Sequence, residues 1–181
     1  MSRLVAVDPA KATGKAKDLL EKVKAKFGVT PNMMRTMANS PAVLEAYLNF
    51  NNTMAGGSLS AKLREMIALA IAQANACEYC LSAHTAIGEM VGLRGDEILS
   101  GRQSVAADTK ADAALKFAKT MIARSGDVSD ADVKRVRDAG YSEGEIAEII
   151  GNVALNVFTN YFNQAAQTEI DFPRVTPSPA A

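Results

Sequence analysis

The residues able to do chemistry are few and sit together. The 181-residue chain holds two cysteines and one histidine. All three lie in the segment LREMIALAIAQANACEYCLSAHTAIGEMVGL, as Cys77-x-x-Cys80-x-x-x-His84. On a helix, residues three apart are neighbours, with Cβ atoms about 5–6 Å apart, and rotamer adjustment at a helix end can close such a pair into a disulfide. A dithiol that opens and closes reduces peroxides or disulfides. His84 lies four residues beyond Cys80, within hydrogen-bonding reach. At about 100° per residue, Cys77, Cys80, Leu81, His84, Ile87, Gly88 and Val91 share one side of the helix. Glu78, Ser82, Thr85 and Glu89 form the predicted solvent stripe. Both thiols fall in the first turn, where unpaired N–H groups and the helix dipole favour an anion and lower a thiol pKa.

The preceding helix supplies a carboxylate. Glu65 shares a side with Ala61, Ala68, Ala72 and Ala76, a stripe of small residues that lets the next helix approach closely. If the two helices form an antiparallel hairpin turning near Ala76, Glu65 lies roughly 16 Å and His84 roughly 12 Å from the turn. Glu65 then comes near His84 and Cys80, not Cys77. The chemistry this predicts is a relay: the carboxylate orients the imidazole, the imidazole takes the thiol proton, and the thiolate attacks.

Blander readings exist for each residue. Two buried cysteines are often small core residues. Cys77, Cys80, His84 and Glu65 are also four potential zinc ligands, although a structural zinc site usually draws on two separate knuckles rather than one helix. A lone histidine is often a satisfied core residue, and a glutamate is often a surface partner of lysine. Tyr79 points off the thiol face and is expected to pack. Asn152, Asn156, Asn160 and Asn163 form a polar line whose buried members need partners, expected across a subunit interface or, failing that, at the border of the site. Met33, Met34, Met37 and Met54 are expected to fill core gaps or line an apolar entrance.

The elements that must position these groups all read as helices. Asp8-Pro9 opens one that carries Leu19, Leu20, Val23 and Phe27 inward and stops at Gly28. Pro31 and Pro41 open two more, the second ending near Gly56-Gly57. Ser60 caps a strongly apolar helix to about Asn75, and the thiol helix runs from about Cys77 to Val91 before Gly92. A connection with one helical turn near Glu97 leads to a helix from about Ala111 to Arg124. Ser129 caps the next, which ends at Gly140. Ser142 and Glu145 form a capping box for an apolar helix reaching about Thr168. The tail DFPRVTPSPAA carries three prolines and is expected to be extended from 172 onward. The predicted architecture is one all-α domain spanning 1–181.

Composition bounds the rest. Apolar residues make up 48% of the chain, and Lys+Arg and Asp+Glu both number 20, giving zero net charge. That balance argues against nucleic-acid binding, which needs a basic excess. No apolar run is long enough for a signal peptide or a membrane span. The expected compartment is the cytoplasm, where a cysteine pair is more often catalytic or metal-binding than structural.

Taken together, Glu65, eleven residues, then Cys77-x-x-Cys80-x-x-x-His84, with Arg64 before and Gly92 after, resembles the AhpD-like alkylhydroperoxidase branch of the carboxymuconolactone decarboxylase superfamily. The core match covers about residues 40 to 110, and a looser one reaches the Asn-rich C-terminal helix and Asp171-Phe172-Pro173. The resemblance implies an AhpD-like helical domain oligomerising through helix faces, as a homo-trimer or homo-hexamer. It implies thiol-dependent reduction of alkyl hydroperoxides, with no cofactor and no metal. In that scheme Cys80 is peroxidatic, Cys77 is resolving, and Glu65 and His84 relay protons. An external dithiol, in the best-known members a lipoyl-bearing protein, resets the enzyme. Well-characterised members carry a histidine just before the second cysteine, where this chain has Tyr79. Two other readings remain: a general disulfide oxidoreductase, and a non-catalytic oligomer whose dithiol switches assembly. A carboxymuconolactone-type decarboxylase would leave the cysteine pair unexplained.

Overall fold

The computed structural model describes residues 2–178; Met1 and the last three residues of the proline-bearing tail lie outside the described residues. Within that range the secondary structure is entirely helical: α1 (Gly14–Phe27), α2 (Asn32–Met37), α3 (Pro41–Ala55), α4 (Ala61–Ala74), α5 (Glu78–Met90), α6 (Gly95–Arg102), α7 (Thr109–Ala123), α8 (Asp130–Asp138) and α9 (Glu143–Ala166).

The axis of the fold is α4. Its run from Met66 to Ala72 is buried without a break. A helix apolar on every side has to be surrounded, and α4 packs against α5, α6, α7 and α9. Ile67, Leu69 and Ile71 meet Leu81 of α5, Leu115 of α7 and Ile149 of α9 in one continuous core. On α6, Gly101 is close enough to α4 that a Cβ there would touch the Met66 backbone at 3.4 Å.

Both ends of α4 are fixed. At its start, Ser60 Oγ accepts from the Leu63 amide. Just before that, the Glu148 carboxylate of α9 accepts from the amides of Ser58 and Leu59 at 2.8–3.0 Å. Gly57 makes this approach possible, since a Cβ there would lie 2.5 Å from Glu148. The amide hydrogen bonds from Ser58 and Leu59 hold the Glu148 carboxyl below its ordinary pKa. Capping boxes at Ser129/Asp132 and Ser142/Glu145 start α8 and α9.

Three expectations are corrected. Asp8-Pro9 forms a turn instead of opening a helix: Asp8 Oδ1 accepts from the Ala10 amide and Asp8 O from the Lys11 amide, both at 3.0 Å. An aspartate side chain that bonds the backbone two residues on competes with helix, and α1 begins only at Gly14. Phe27 is 46% exposed and does not join Leu19, Leu20 and Val23 in the core. The single turn near Glu97 is the eight-residue α6, started by hydrogen bonds between Arg94 and Glu97.

The Glu148 clamp carries a pH dependence with a defined sign. A carboxylate whose pKa is depressed by folding adds stability above its unfolded pKa of about 4.3, and that stability is lost as pH falls through the folded value. Glu148→Gln is therefore expected to lower stability at pH 7 by about 1–2 kcal/mol. Denaturant titration should show the difference from wild type shrinking as pH falls below about 4.

Candidate active site

Cys77 is placed by a tight turn between α4 and α5. The Ala76 amide donates to Gln73 O at 3.1 Å and the Cys77 amide to Ala72 O at 2.9 Å. This is a Schellman closure, and it puts its left-handed residue at Ala76, with φ of +50°. An L-residue with a Cβ is strained there by about 1–2 kcal/mol. Cys77 thus ends one helix and caps the next: its Sγ accepts from the Cys80 amide at 3.3 Å.

Across the hairpin, Glu65 of α4 meets His84 of α5. Glu65 Oε2 lies 2.7 Å from His84 Nδ1, and both side chains are about four-fifths covered (18% and 21% exposed). Ala68 and Ala72, both buried, line the α4 stripe that allows this approach. Burial alone would lower the imidazole pKa. The charge and hydrogen bond of Glu65, with a smaller contribution from Cys77, outweigh it and hold His84 above its ordinary value.

The two thiols are reduced and both buried, but they are not equivalent. The Cys80 S–H donates to Cys77, and this hydrogen bond, the Cys80 amide and the charge of His84 together overcome burial and lower the Cys77 pKa. Burial first, and then Cys77 itself, push the Cys80 thiol well above its usual value, opposed by the amides of Asn163 and Asn160. Of the two, Cys77 is therefore the thiol that ionises more readily.

The polar line of α9 divides. Asn152 and Asn156 each donate to the backbone carbonyl four residues earlier, at 2.8 Å. Asn160 accepts from Asn75 Nδ2 at 3.1 Å, and Asn163 Nδ2 donates to Cys80 Sγ at 3.4 Å and Met33 Sδ at 3.2 Å. Contrary to the expected interface role, Asn160 and Asn163 belong to the surroundings of the thiols. Helical spacing alone did not say which neighbour α9 would face.

The predicted solvent stripe of α5 is corrected as well. Ser82 is fully buried, because the C-terminal segment runs over it and the Val175 amide donates to Ser82 Oγ at 2.9 Å. The same segment sets Phe172 edge-on to Tyr79 at 5.8 Å. Tyr79 packs as expected, its hydroxyl accepting from the Met33 amide at 3.1 Å. Sequence reasoning missed Tyr47 of α3, a buried hydroxyl whose pKa is raised by burial and by the nearby charges of Glu65 and Cys80.

An open cleft of about 1030 Å³ reaches this region, lined by Asn32, Arg35, Thr36, Cys77, Glu78, Tyr79, Asn163, Gln164 and Arg174, among others. The four potential zinc ligands are not gathered around a point, and among the described residues no group of three or more His, Cys, Asp or Glu side chains is. No helix there is long and apolar enough to cross a membrane.

Residues 41–120 match the model of the carboxymuconolactone decarboxylase family, a span containing Glu65, Cys77, Cys80 and His84. Over that span the chain is similar to the family, in keeping with the AhpD-like resemblance of its motif. Its fold matches an alkylhydroperoxidase AhpD core, a peroxidase-related protein from Ralstonia eutropha JMP134 (TM-score 0.83, 24% identity, 94% of this chain and 92% of that one). It also matches a peroxidase-related protein from Silicibacter sp. TM1040 (0.81, 25%, 93% and 91%). A third match is a cysteine-to-alanine variant of the debrominase Bmp8 in complex with 2,3,4-tribromopyrrole (0.80, 19%, 94% and 92%). Among the curated proteins none matches the chain. The AhpD-like fold thus serves more than one chemistry, and the site of this chain has to be read from its own residues.

Three measurements check this geometry. His84 should titrate by NMR above the free imidazole range, and Glu65→Gln should return it toward or below about 6.5. His84 then contributes stability that is fully present below its unfolded pKa and lost as pH rises through the folded one. The Glu65→Gln protein should therefore show a flatter stability profile between pH 6 and 9. Ala76→Gly should stabilise the chain by up to about 1 kcal/mol through relief of the left-handed strain, measured by denaturant unfolding.

Proposed function

We propose that the protein is a thiol-dependent peroxidase that reduces hydroperoxides through a Cys77/Cys80 dithiol–disulfide cycle. One observation supports this above the others: a reduced thiol pair opens a helix whose next turn carries an imidazole held at 2.7 Å by a carboxylate. That combination supplies a thiolate and a proton reservoir together, and both are needed to break an O–O bond.

The site starts with one proton on the thiol pair and one on His84. That proton passes from Cys80 to Cys77 along their hydrogen bond, and the Cys80 thiolate attacks the terminal peroxide oxygen. An S–O bond forms and the O–O bond breaks. Sulfur loses two electrons to the peroxide, and the departing alkoxide takes the His84 proton to leave as an alcohol. His84, now neutral, takes the proton from Cys77, and the Cys77 thiolate attacks the Cys80 sulfenic acid. The S–S bond forms as hydroxide leaves and collects that proton as water. An external dithiol then exchanges with the disulfide; a lipoyl-bearing protein fits this role, and a homo-trimer or homo-hexamer is the assembly that goes with this reading.

A second reading is favoured by one observation. Cys77 carries the lower pKa and lines the cleft, as suits a thiol that attacks disulfides. In that case the protein is a general disulfide oxidoreductase with Cys77 striking first.

Prereduced protein given one equivalent of cumene hydroperoxide should lose about 2 Da by mass spectrometry, with the bridge between Cys77 and Cys80. Cys77→Ser should trap a dimedone-reactive sulfenic acid on Cys80. Labelling of Cys77 alone, in Cys80→Ser, would reverse the order of the thiols. Rapid turnover of a disulfide with no consumption of hydroperoxide would establish the second reading instead.

A further inference from the structure

The amide of Asn163 is half used. Its Nδ2 is bonded to Met33 Sδ and Cys80 Sγ, while its Oδ1 is buried and has no hydrogen-bond partner. The residue is 3% exposed, yet it lines the cleft beside Cys77. A buried acceptor without a partner is uncommon in folded proteins and calls for an explanation. The orientation is not free to relax. Turning the amide over would point its oxygen at the Met33 sulfur, which has no proton to give, and at Cys80, whose S–H is already donated to Cys77.

We propose that Asn163 Oδ1 is the subsite for the terminal O–H of the hydroperoxide substrate. This rests on the peroxidase reading above. The acceptor and the reacting sulfur are bound to the same planar group. A peroxide that donates its O–H to Oδ1 therefore sets its terminal oxygen beside Cys80 Sγ, the oxygen that sulfur must attack. The hydrogen never has to leave this acceptor. When the S–O bond forms and the O–O bond breaks, the terminal O–H becomes the O–H of the sulfenic acid and stays on Oδ1, while the alkoxide departs toward the His84 proton. The Nδ2 group meanwhile donates to the Cys80 sulfur as its charge develops. The same amide pulls the Cys80 pKa down against burial. The substrate class follows from the chemistry: the subsite selects oxidants that carry an O–H on the attacked atom, namely hydrogen peroxide and alkyl hydroperoxides. Dialkyl peroxides and disulfides lack that donor and gain nothing from Oδ1.

The test compares two oxidants on the same prereduced protein, cumene hydroperoxide and a small aromatic disulfide, in wild type, Asn163→Ala and Asn163→Asp. The second-order rate with hydroperoxide should fall about 100-fold in Asn163→Ala, as for loss of one positioned hydrogen-bonding group, while the rate with the disulfide falls far less. Asn163→Asp keeps an acceptor but replaces the donor with a charge. It should retain more hydroperoxide activity than Asn163→Ala, with its pH profile displaced upward. Equal loss with both oxidants in both variants would mean a packing role only and would overturn the proposal. So would an unchanged hydroperoxide rate in Asn163→Ala. A wild type that reacts with the disulfide and not with hydroperoxide would remove the peroxidase reading and the subsite together; an active wild type with an indifferent Asn163 would remove the subsite alone.

Discussion

Everything at the site depends on how closely α4 and α5 lie. A glutamate side chain is short, and the 2.7 Å contact between Glu65 and His84 exists only because the helices meet over alanines. Larger residues at Ala68 or Ala72 would push α5 outward and leave the imidazole facing burial without a counter-charge. Its pKa would then fall rather than rise. The same packing decides which end of α5 carries the thiols, since the Schellman turn leaves Cys77 no choice but to cap it. Register is enforced from outside the hairpin. Glu148 grips the chain ahead of α4, and Ser60 caps its first turn, so the helix cannot rotate the 100° or so per residue that would carry Glu65 away.

The inequality of the thiols follows from the same geometry. Both are buried, and burial by itself would raise both pKa values. What separates them is that burial dominates at Cys80, whereas at Cys77 the hydrogen bond from Cys80 outweighs it. Cys77 receives a backbone amide, the Cys80 S–H and the field of a protonated His84, whereas Cys80 receives side-chain amides from α9 and faces the charge of Cys77. The two thiols are hydrogen-bonded to one another, so each sets the other's acidity.

The motif and the helices were legible in the sequence because both rest on local spacing. The i, i+3 and i+4 relations of Cys77, Cys80 and His84 hold on any helix, and caps such as Ser60, Ser129 and Ser142 act within one turn. The Glu65–His84 pair was reachable by counting residues back from a presumed turn, since antiparallel packing converts sequence distance into height. What the sequence hid was long-range. Ser82 read as wet because its helix phase is polar, and only the return of the chain at Val175 covers it. Asn163 read as an interface residue because spacing cannot say that α9 crosses behind Cys80. Asp8-Pro9 read as a helix start because an Asx turn and a cap share the same residues.

The departure at Tyr79 now has a physical meaning. A histidine at that position would offer a second group able to move protons near neutral pH. Tyr79 offers none: burial and the Asp171 charge drive its pKa up, and its hydroxyl oxygen is occupied by the Met33 amide. Tyr47 is likewise pinned in its neutral form. Their hydroxyls can donate hydrogen bonds, but neither can deliver and recover a proton at working pH. With no second histidine in the chain, His84, held by Glu65, is the one imidazole beside the thiols. Tyr79 instead ties α5 to Met33 of α2, which in turn orients the Asn163 amide. Replacing a titratable ring by a tie exchanges one property for another: Tyr79 adds no group that titrates near neutral pH and links α5, α2 and α9 beside the sulfurs.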